Sequence, residues 1–206
     1  PWTEQGEHGW LFDNADDRLD LDTHVAGFDM TALLDTATLR TPAMMYLFHR
    51  VDMRLDGDPT IILIDEGWKA LDDPVFAARI RDWMKTLRKR NAILGFGTQS
   101  ARDALESSVA SAIVEQTATQ IFMPNSKATI EDYRQGMKLS AREYQLVAEV
   151  LSASSRRFLI KQNQAGVVAE LNLAGFDEEL TVLSGRTRSV ELLDEIRAKV
   201  GDDPAH

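Results

Sequence analysis

Four consecutive apolar residues, Ile61 to Ile64, run straight into Asp65 and Glu66. An unbroken apolar run predicts a strand buried on both faces, because a half-exposed strand alternates apolar with polar. A second run, residues 92–96, ends in Gly97-Thr98-Gln99-Ser100. Between them Asp73-Pro74 reads as a helix start, Asp capping and Pro in the first turn, and Phe76, Ile80, Trp83 and Leu87 recur at helical spacing. Such a helix carries the chain back across the sheet. The two strands are therefore predicted parallel, with Gln99 near the level of Glu66.

The rest of the chain alternates in the α/β manner, without repeats or low-complexity tracts. Residues 9–13 and 24–30 are short apolar runs ending in acids, separated by an acidic, loop-like stretch, and both read as candidate strands. Pro42 is expected to open a helix through Met45, Phe48 and Met53, broken by Asp56-Gly57-Asp58-Pro59. Residues 100–117 read as a helix and 119–123 as a strand closed by Pro124-Asn125. A small helical insertion over residues 126–155 follows. Its first helix, residues 128–135, stops at Gly136, and the capping box Ser140-Ala141-Arg142-Glu143 opens a second through Leu146, Val147 and Val150. Residues 156–162 and 166–173 form a predicted β-hairpin. A last helix uses Val190, Leu193, Ile196 and Val200, and the tail at 201–206 is expected to fray.

Composition narrows the possibilities. At 206 residues and 44% hydrophobic, residues 1–206 can bury one core, as a single domain or one with a small appendage. With 33 acidic against 23 basic residues and a formal charge of −10, the summed field does not favour nucleic acid or anionic membrane, which leaves only a local basic patch. The absence of cysteine excludes disulfides, thiolate metal sites and a cysteine nucleophile, and fits the cytoplasm. No apolar run approaches the roughly 18–20 residues needed to cross a bilayer. No charged-then-apolar leader opens the chain, and a start at Pro1 reads as a fragment.

Open α/β sheets bind ligands outside the carboxyl ends of their strands, where Asp65 and Glu66 are expected. There an Asp-Glu pair can hold hydrated magnesium and polarise a water, the arrangement of a Walker B segment. One strand away, the Gln99 amide can sense a γ-phosphate or orient the attacking water; alternatively Thr98, Gln99 and Ser100 merely cap the next helix. No G-x-x-x-x-G-K-[ST] loop occurs to cradle the β- and γ-phosphates. The run Leu87-Arg88-Lys89-Arg90 has two readings, a solvated cationic helix end or, at Arg88, an arginine finger reaching phosphates bound by a neighbouring subunit. Arg186 is a weaker phosphate candidate, and Asp29 either neighbours the site or caps a helix. His8, His24, His49 and His206 share no metal-ligand spacing. Trp68 and Trp83 read as core more than as partner contacts.

Several motifs now carry a family resemblance. Gly9-Trp-Leu-Phe-Asp-Asn14, Gly27-Phe-Asp-Met-Thr31, Tyr46-Leu-Phe-His-Arg50, Ile64-Asp-Glu-Gly-Trp68, Gly97-Thr-Gln-Ser100, Phe122-Met-Pro-Asn125 and Leu183-Ser-Gly-Arg186 resemble, in order, the carboxyl-terminal ATPase region of the type IV secretion ATPases, the VirB-four family with its relatives TrbE and CagE. The resemblance implies an α/β, RecA-like P-loop NTPase core, a mostly parallel sheet with flanking helices, here truncated before or without the Walker A loop, which in the family lies upstream. It implies ATP and magnesium as cofactors, a hexameric working form, and a cytoplasmic position at the bacterial inner membrane. It further implies other secretion ATPases and inner-membrane channel proteins as partners, and energy supply for pilus assembly, conjugation and substrate export. On the matching positions Asp65 takes the magnesium role, Glu66 that of catalytic base, Gln99 that of sensor and Arg88 that of arginine finger. Two other functions share parts of this pattern. A HerA- or FtsK-like DNA translocase would show DNA-stimulated hydrolysis, and a non-catalytic docking module of the secretion channel would keep partner binding after Glu66→Gln.

Overall fold

In the computed structural model, residues 3, 6–17, 19–66, 71, 73–183 and 187–201 are described. The chain opens with two short helices, α1 (Gly9–Phe12) and α2 (Thr31–Asp35), followed by the 18-residue α3 (Ala37–Arg54). Neither amino-terminal run forms the expected strand: residues 9–12 make one helical turn, and 24–30 follow no regular path, with Val25 87% exposed. A strand needs a partner for its N–H and C=O groups, and no described strand lies beside these segments. Instead, arginines of α3 take up carbonyls of the intervening loop: Arg50 Nη2 donates to Leu19 O at 2.6 Å and Arg54 Nε to Leu21 O at 3.3 Å. The start of α3 also differs from expectation, because Pro42 lies inside the helix. Leu39 and Ala43 are buried one turn apart. Burying that stripe carries the helix back past Pro42, whose missing N–H would otherwise mark its start.

β1 (Thr60–Asp65), α4 (Pro74–Thr86) and β2 (Ala92–Gly97) form the expected crossover unit, its strands parallel and registered from Thr60 opposite Ala92 to Asp65 opposite Gly97. Asp73 caps α4, accepting from Val75 N at 2.8 Å and Phe76 N at 3.2 Å, with Pro74 in the first turn. Phe76, Ile80, Trp83 and Leu87 are all buried, as their spacing predicts. They meet Phe48 of α3, whose ring stands edge-on to Trp83 with centroids 4.7 Å apart. Ile62, Ile64, Leu94 and Phe96 pack on this core from one face of the strand pair. The other face corrects the expectation of a doubly buried strand. Ile61, Leu63 and Ile93 are 67%, 77% and 64% exposed, because α3 and α4 both lie on the same side and no described element covers the opposite one.

Beyond β2 the expected single helix is broken into α5 (Ala101–Glu106) and α6 (Ala110–Gln116). β3 (Thr119–Phe122) then leaves the parallel pair. It joins α7 (Ala141–Gln145) and the hairpin of β4 (Arg157–Gln162) and β5 (Ala165–Glu170) in a second body, where β3, β4 and β5 form an antiparallel sheet. Between β3 and β4 come helical turns on the predicted segments, Glu131–Gly136 and, continuing α7, Leu146–Val150. Both halves of the capping box form: Glu143 N donates to Ser140 Oγ at 3.2 Å and Ser140 N to Glu143 Oε2 at 2.7 Å. Tyr133, Leu139, Val147 and Leu159 make a second, smaller core. The chain closes with α8 (Asp177–Leu183) and α9 (Thr187–Val200), the latter on the predicted residues but with Val190, Leu193 and Ile196 exposed.

The chain presents 14834 Å² of accessible surface at a mass of 23.1 kDa, while a compact monomer of that mass presents about 9,700 Å².

Candidate functional site

The carboxyl ends of β1 and β2 bring together the residues singled out from sequence. Asp65 and Glu66 end one strand, Gly97, Thr98 and Gln99 the other, and all but Gly97 are exposed. Asp65 faces Gly97 across the pair, and a Cβ at residue 97 would come within 2.6 Å of Asp65 Oδ1. Gly97 therefore leaves the space that the Asp65 carboxylate occupies. Glu66 turns out of the strand with a left-handed backbone, φ 50°, unusual for a side chain with a Cβ. Its N–H donates to Gly97 O at 3.2 Å, and its Oε1 accepts from Gln99 N at 3.2 Å.

The two strand ends are thus laced by Glu66, and Gln99 meets it through its backbone N–H, not its amide. The capping alternative is satisfied by the residues around Gln99. Ser100 Oγ accepts from Asp103 N at 3.2 Å to cap α5, and Thr98 Oγ1 is engaged with the Ser100 backbone at 3.0 Å. The Gln99 amide has no hydrogen bond among the described residues.

Among the described residues no three acidic or histidine side chains converge as a metal cage. Magnesium is held elsewhere by one or two carboxylates with waters and phosphate oxygens. The hard oxygen of Asp65, in the space left by Gly97, fits that mode of binding.

Arg88 stands apart from this cluster. It belongs to a 3-10 turn, Leu87–Arg90, at the amino end of β2, about 17 Å or more from the Glu66 end at roughly 3.3 Å per strand residue. Its side chain is exposed and makes no hydrogen bond or ion pair among the described residues. Lys89 is exposed as the solvated-end reading expects, but Arg90 is not a solvated charge: it pairs with Asp52 Oδ1 at 3.0 Å and donates to Leu55 O at 3.0 Å. Asp29 serves its own turn, accepting from Thr31 N at 3.0 Å, which holds its carboxyl below the ordinary value. Trp83 is core and His49 exposed. Trp68, Arg186 and His206 lie outside the described residues.

Sequence reasoning missed Gly97 and Asp52. Gly97 was detectable once the register was fixed, because an in-register glycine opposite a carboxylate marks a place where a Cβ would intrude. Asp52 sits between Val51 and Met53 with Arg50 and Arg54 nearby in the chain, and nothing local marks its partners, which lie 27 to 38 residues away.

The parallel strand pair with α3 and α4 packed on one face fits an α/β NTPase core, and the chain belongs to the TraG P-loop domain family, whose model matches residues 1–170. Within it the chain is similar to the VirB4 type IV secretion proteins, in keeping with the motif resemblance. It is 50% identical to that of Bartonella henselae over 203 residues, 98% of this chain and 26% of the relative, and 42% identical to that of Brucella suis over 203 residues, 98% and 24%. It is also 42% identical to PtlC of Bordetella pertussis over 190 residues, 92% of this chain and 23% of the relative. The chain thus spans about a quarter of the length of these relatives. Among solved structures, VirB4 of Thermoanaerobacter pseudethanolicus superposes with a TM-score of 0.53 at 19% identity, over 65% of this chain and 36% of that one, a likeness of fold. No described helix is long and apolar enough to cross a membrane.

Proposed function

We propose that this chain supplies the hydrolytic residues of a RecA-like ATPase motor in a type IV secretion system. The phosphate-binding loop comes from elsewhere in the full-length protein. The motor works as a hexamer on the cytoplasmic side of the inner membrane, beside other secretion ATPases and channel proteins, and drives pilus assembly and substrate export. The observation that supports this most is the lacing of Glu66 to Gln99 at the carboxyl ends of the parallel pair, with Asp65 in the space left by Gly97.

Asp65 holds hydrated magnesium, which when bound offsets the charge of the β- and γ-phosphates. Glu66 is the base. The Gln99 N–H fixes its Oε1, while Oε2 has no donor among the described residues and is free to accept a proton from the attacking water. The unengaged Gln99 amide reads the γ-phosphate. Arg88, too far from its own chain's site, serves the neighbour's.

The test is Glu66→Gln in the full-length protein. It is expected to keep nucleotide binding and to cut turnover by about 10²–10⁴, since an amide keeps the shape but is a poor base; hydrolysis at the parent rate would remove Glu66 from this role. The 206-residue chain alone is expected to fold yet hydrolyse negligible ATP, having no phosphate-loop lysine or backbone cradle. Magnesium-dependent turnover by that chain, abolished by Glu66→Ala, would overturn the need for a loop supplied from outside it.

A further inference from the structure

Leu87–Arg90 is a turn pinned on every side but one. Leu87 is 3% exposed inside the core. Arg90 sends Nη1 to Asp52 Oδ1 at 3.0 Å and Nη2 to Leu55 O at 3.0 Å, with a further bond from Nη2 to the Asp52 carbonyl. Asn91 closes the turn in the left-handed conformation, φ 57°, and donates from Nδ2 to Gly57 O at 3.0 Å. Asp52 is the hub of this arrangement. Besides Arg90 it accepts from Arg79 Nη1 at 2.8 Å and from the Trp83 indole Nε1 at 2.9 Å, so one carboxylate of α3 gathers donors from two positions on α4 and from the turn after it.

Two consequences follow for Arg88. A 3-10 turn has about three residues per turn, so residues two apart point to different sides. Fixing Arg90 inward on Asp52 therefore fixes Arg88 outward, where it is exposed. The Asp52 carboxylate is also already occupied by two guanidinium groups and an indole, so it does not capture Arg88 as well.

We infer that Asp52, acting through Arg90, is a positioning residue for Arg88: it holds the Leu87–Arg90 turn so that the Arg88 guanidinium is presented, unpartnered, to an anion bound by a neighbouring copy of the protein. The inference rests on the reading of Arg88 as a finger acting between subunits. A geometric fault of about 1 Å in such a group costs on the order of a hundredfold in rate.

The test uses the full-length protein at a concentration where the oligomer forms. Asp52→Asn removes the charge that organises both arginines, and Arg90→Lys keeps a charge but loses the planar fork and its carbonyl contacts. Each is expected to lower kcat about tenfold to a hundredfold while leaving KM for ATP within about twofold, the pattern of an interaction made in the transition state. Mixing supplies the readout that a purely structural role would not move. Either variant mixed with Glu66→Gln subunits should regain activity, because the variant's own Asp65, Glu66 and Gln99 are intact and meet the intact Arg88 of the Glu66→Gln neighbour.

Parent kcat in both variants, or a loss that mixing does not repair, would overturn the inference. If Asp52→Asn does not fold, Arg90→Lys carries the same test. Arg88→Ala run in parallel separates the two readings. If it keeps full activity, the finger reading fails and the positioning role with it. If it loses activity and is complemented while Arg90→Lys keeps its kcat, only the positioning role fails.

Discussion

At the amino end of the β1–β2 pair Asp52, Arg90 and Asn91 are all engaged, and Arg88 and Lys89 stand exposed beside them. Asp52 holds Arg79, Trp83 and Arg90, and Asn91 bonds Gly57 across the loop. At the carboxyl end, by contrast, Asp65, Glu66 and Gln99 are exposed and laced mainly by two 3.2 Å bonds through Glu66. The same two strands are thus locked where they begin and open where they end. The locked end derives its rigidity from contacts within the chain; at the open end the Gln99 amide and Glu66 Oε2 make no hydrogen bond among the described residues.

The largest expected effect breaks the locked end. Trp83→Ala removes a ring that is 2% exposed and packs on Phe48, and takes a donor from Asp52. It should cost about 3–5 kcal/mol by chemical denaturation. A cost under about 1 kcal/mol would show that this end is not the anchor.

Gly97→Ala tests the open end. Its Cβ would come within 2.6 Å of Asp65 Oδ1, which a rotating carboxylate can avoid, so stability should scarcely change. Magnesium-dependent turnover of the full-length protein should fall roughly tenfold to a hundredfold. Unchanged turnover would separate Asp65 from the reaction.

A smaller effect belongs to Asp73, which caps α4 and also accepts from the Thr41 hydroxyl. Burial pushes its carboxyl up, but the hydrogen bonds from Thr41, Phe76 N and Val75 N outweigh it and hold the pKa below the ordinary value. A depressed carboxylate contributes stability that is present above the unfolded-state pKa, near 3.9, and lost as pH falls through the folded one. Asp73→Ala should therefore cost about 1 kcal/mol at pH 7, with the difference from the parent narrowing below about pH 4. A constant difference down to pH 2 would assign the cost to packing.

What was legible in the sequence was local. The Asp73 cap, the Ser140–Glu143 box and the burial of Phe76, Ile80, Trp83 and Leu87 each need only a few neighbouring residues, and each formed on the expected positions. The parallel pairing of β1 with β2 was legible too, because the intervening helix leaves little choice. What depended on distant partners was not. Residues 24–30 have the composition of a strand but no described strand to pair with, and β3 pairs antiparallel with β4 although nothing in its own four residues marks that direction. At the site, the level of Gln99 with Glu66 followed from strand geometry. The bond of Arg90 to Asp52, 38 residues away, did not.

Glu66 carries one further consequence. Its φ of 50° is a conformation glycine adopts freely and glutamate adopts at a cost of order 1 kcal/mol or more. At that position thermal resistance and the proposed role in catalysis would select different residues. A chain evolved or screened only for heat tolerance is drawn toward glycine there, and would gain robustness by discarding the carboxylate proposed as the base.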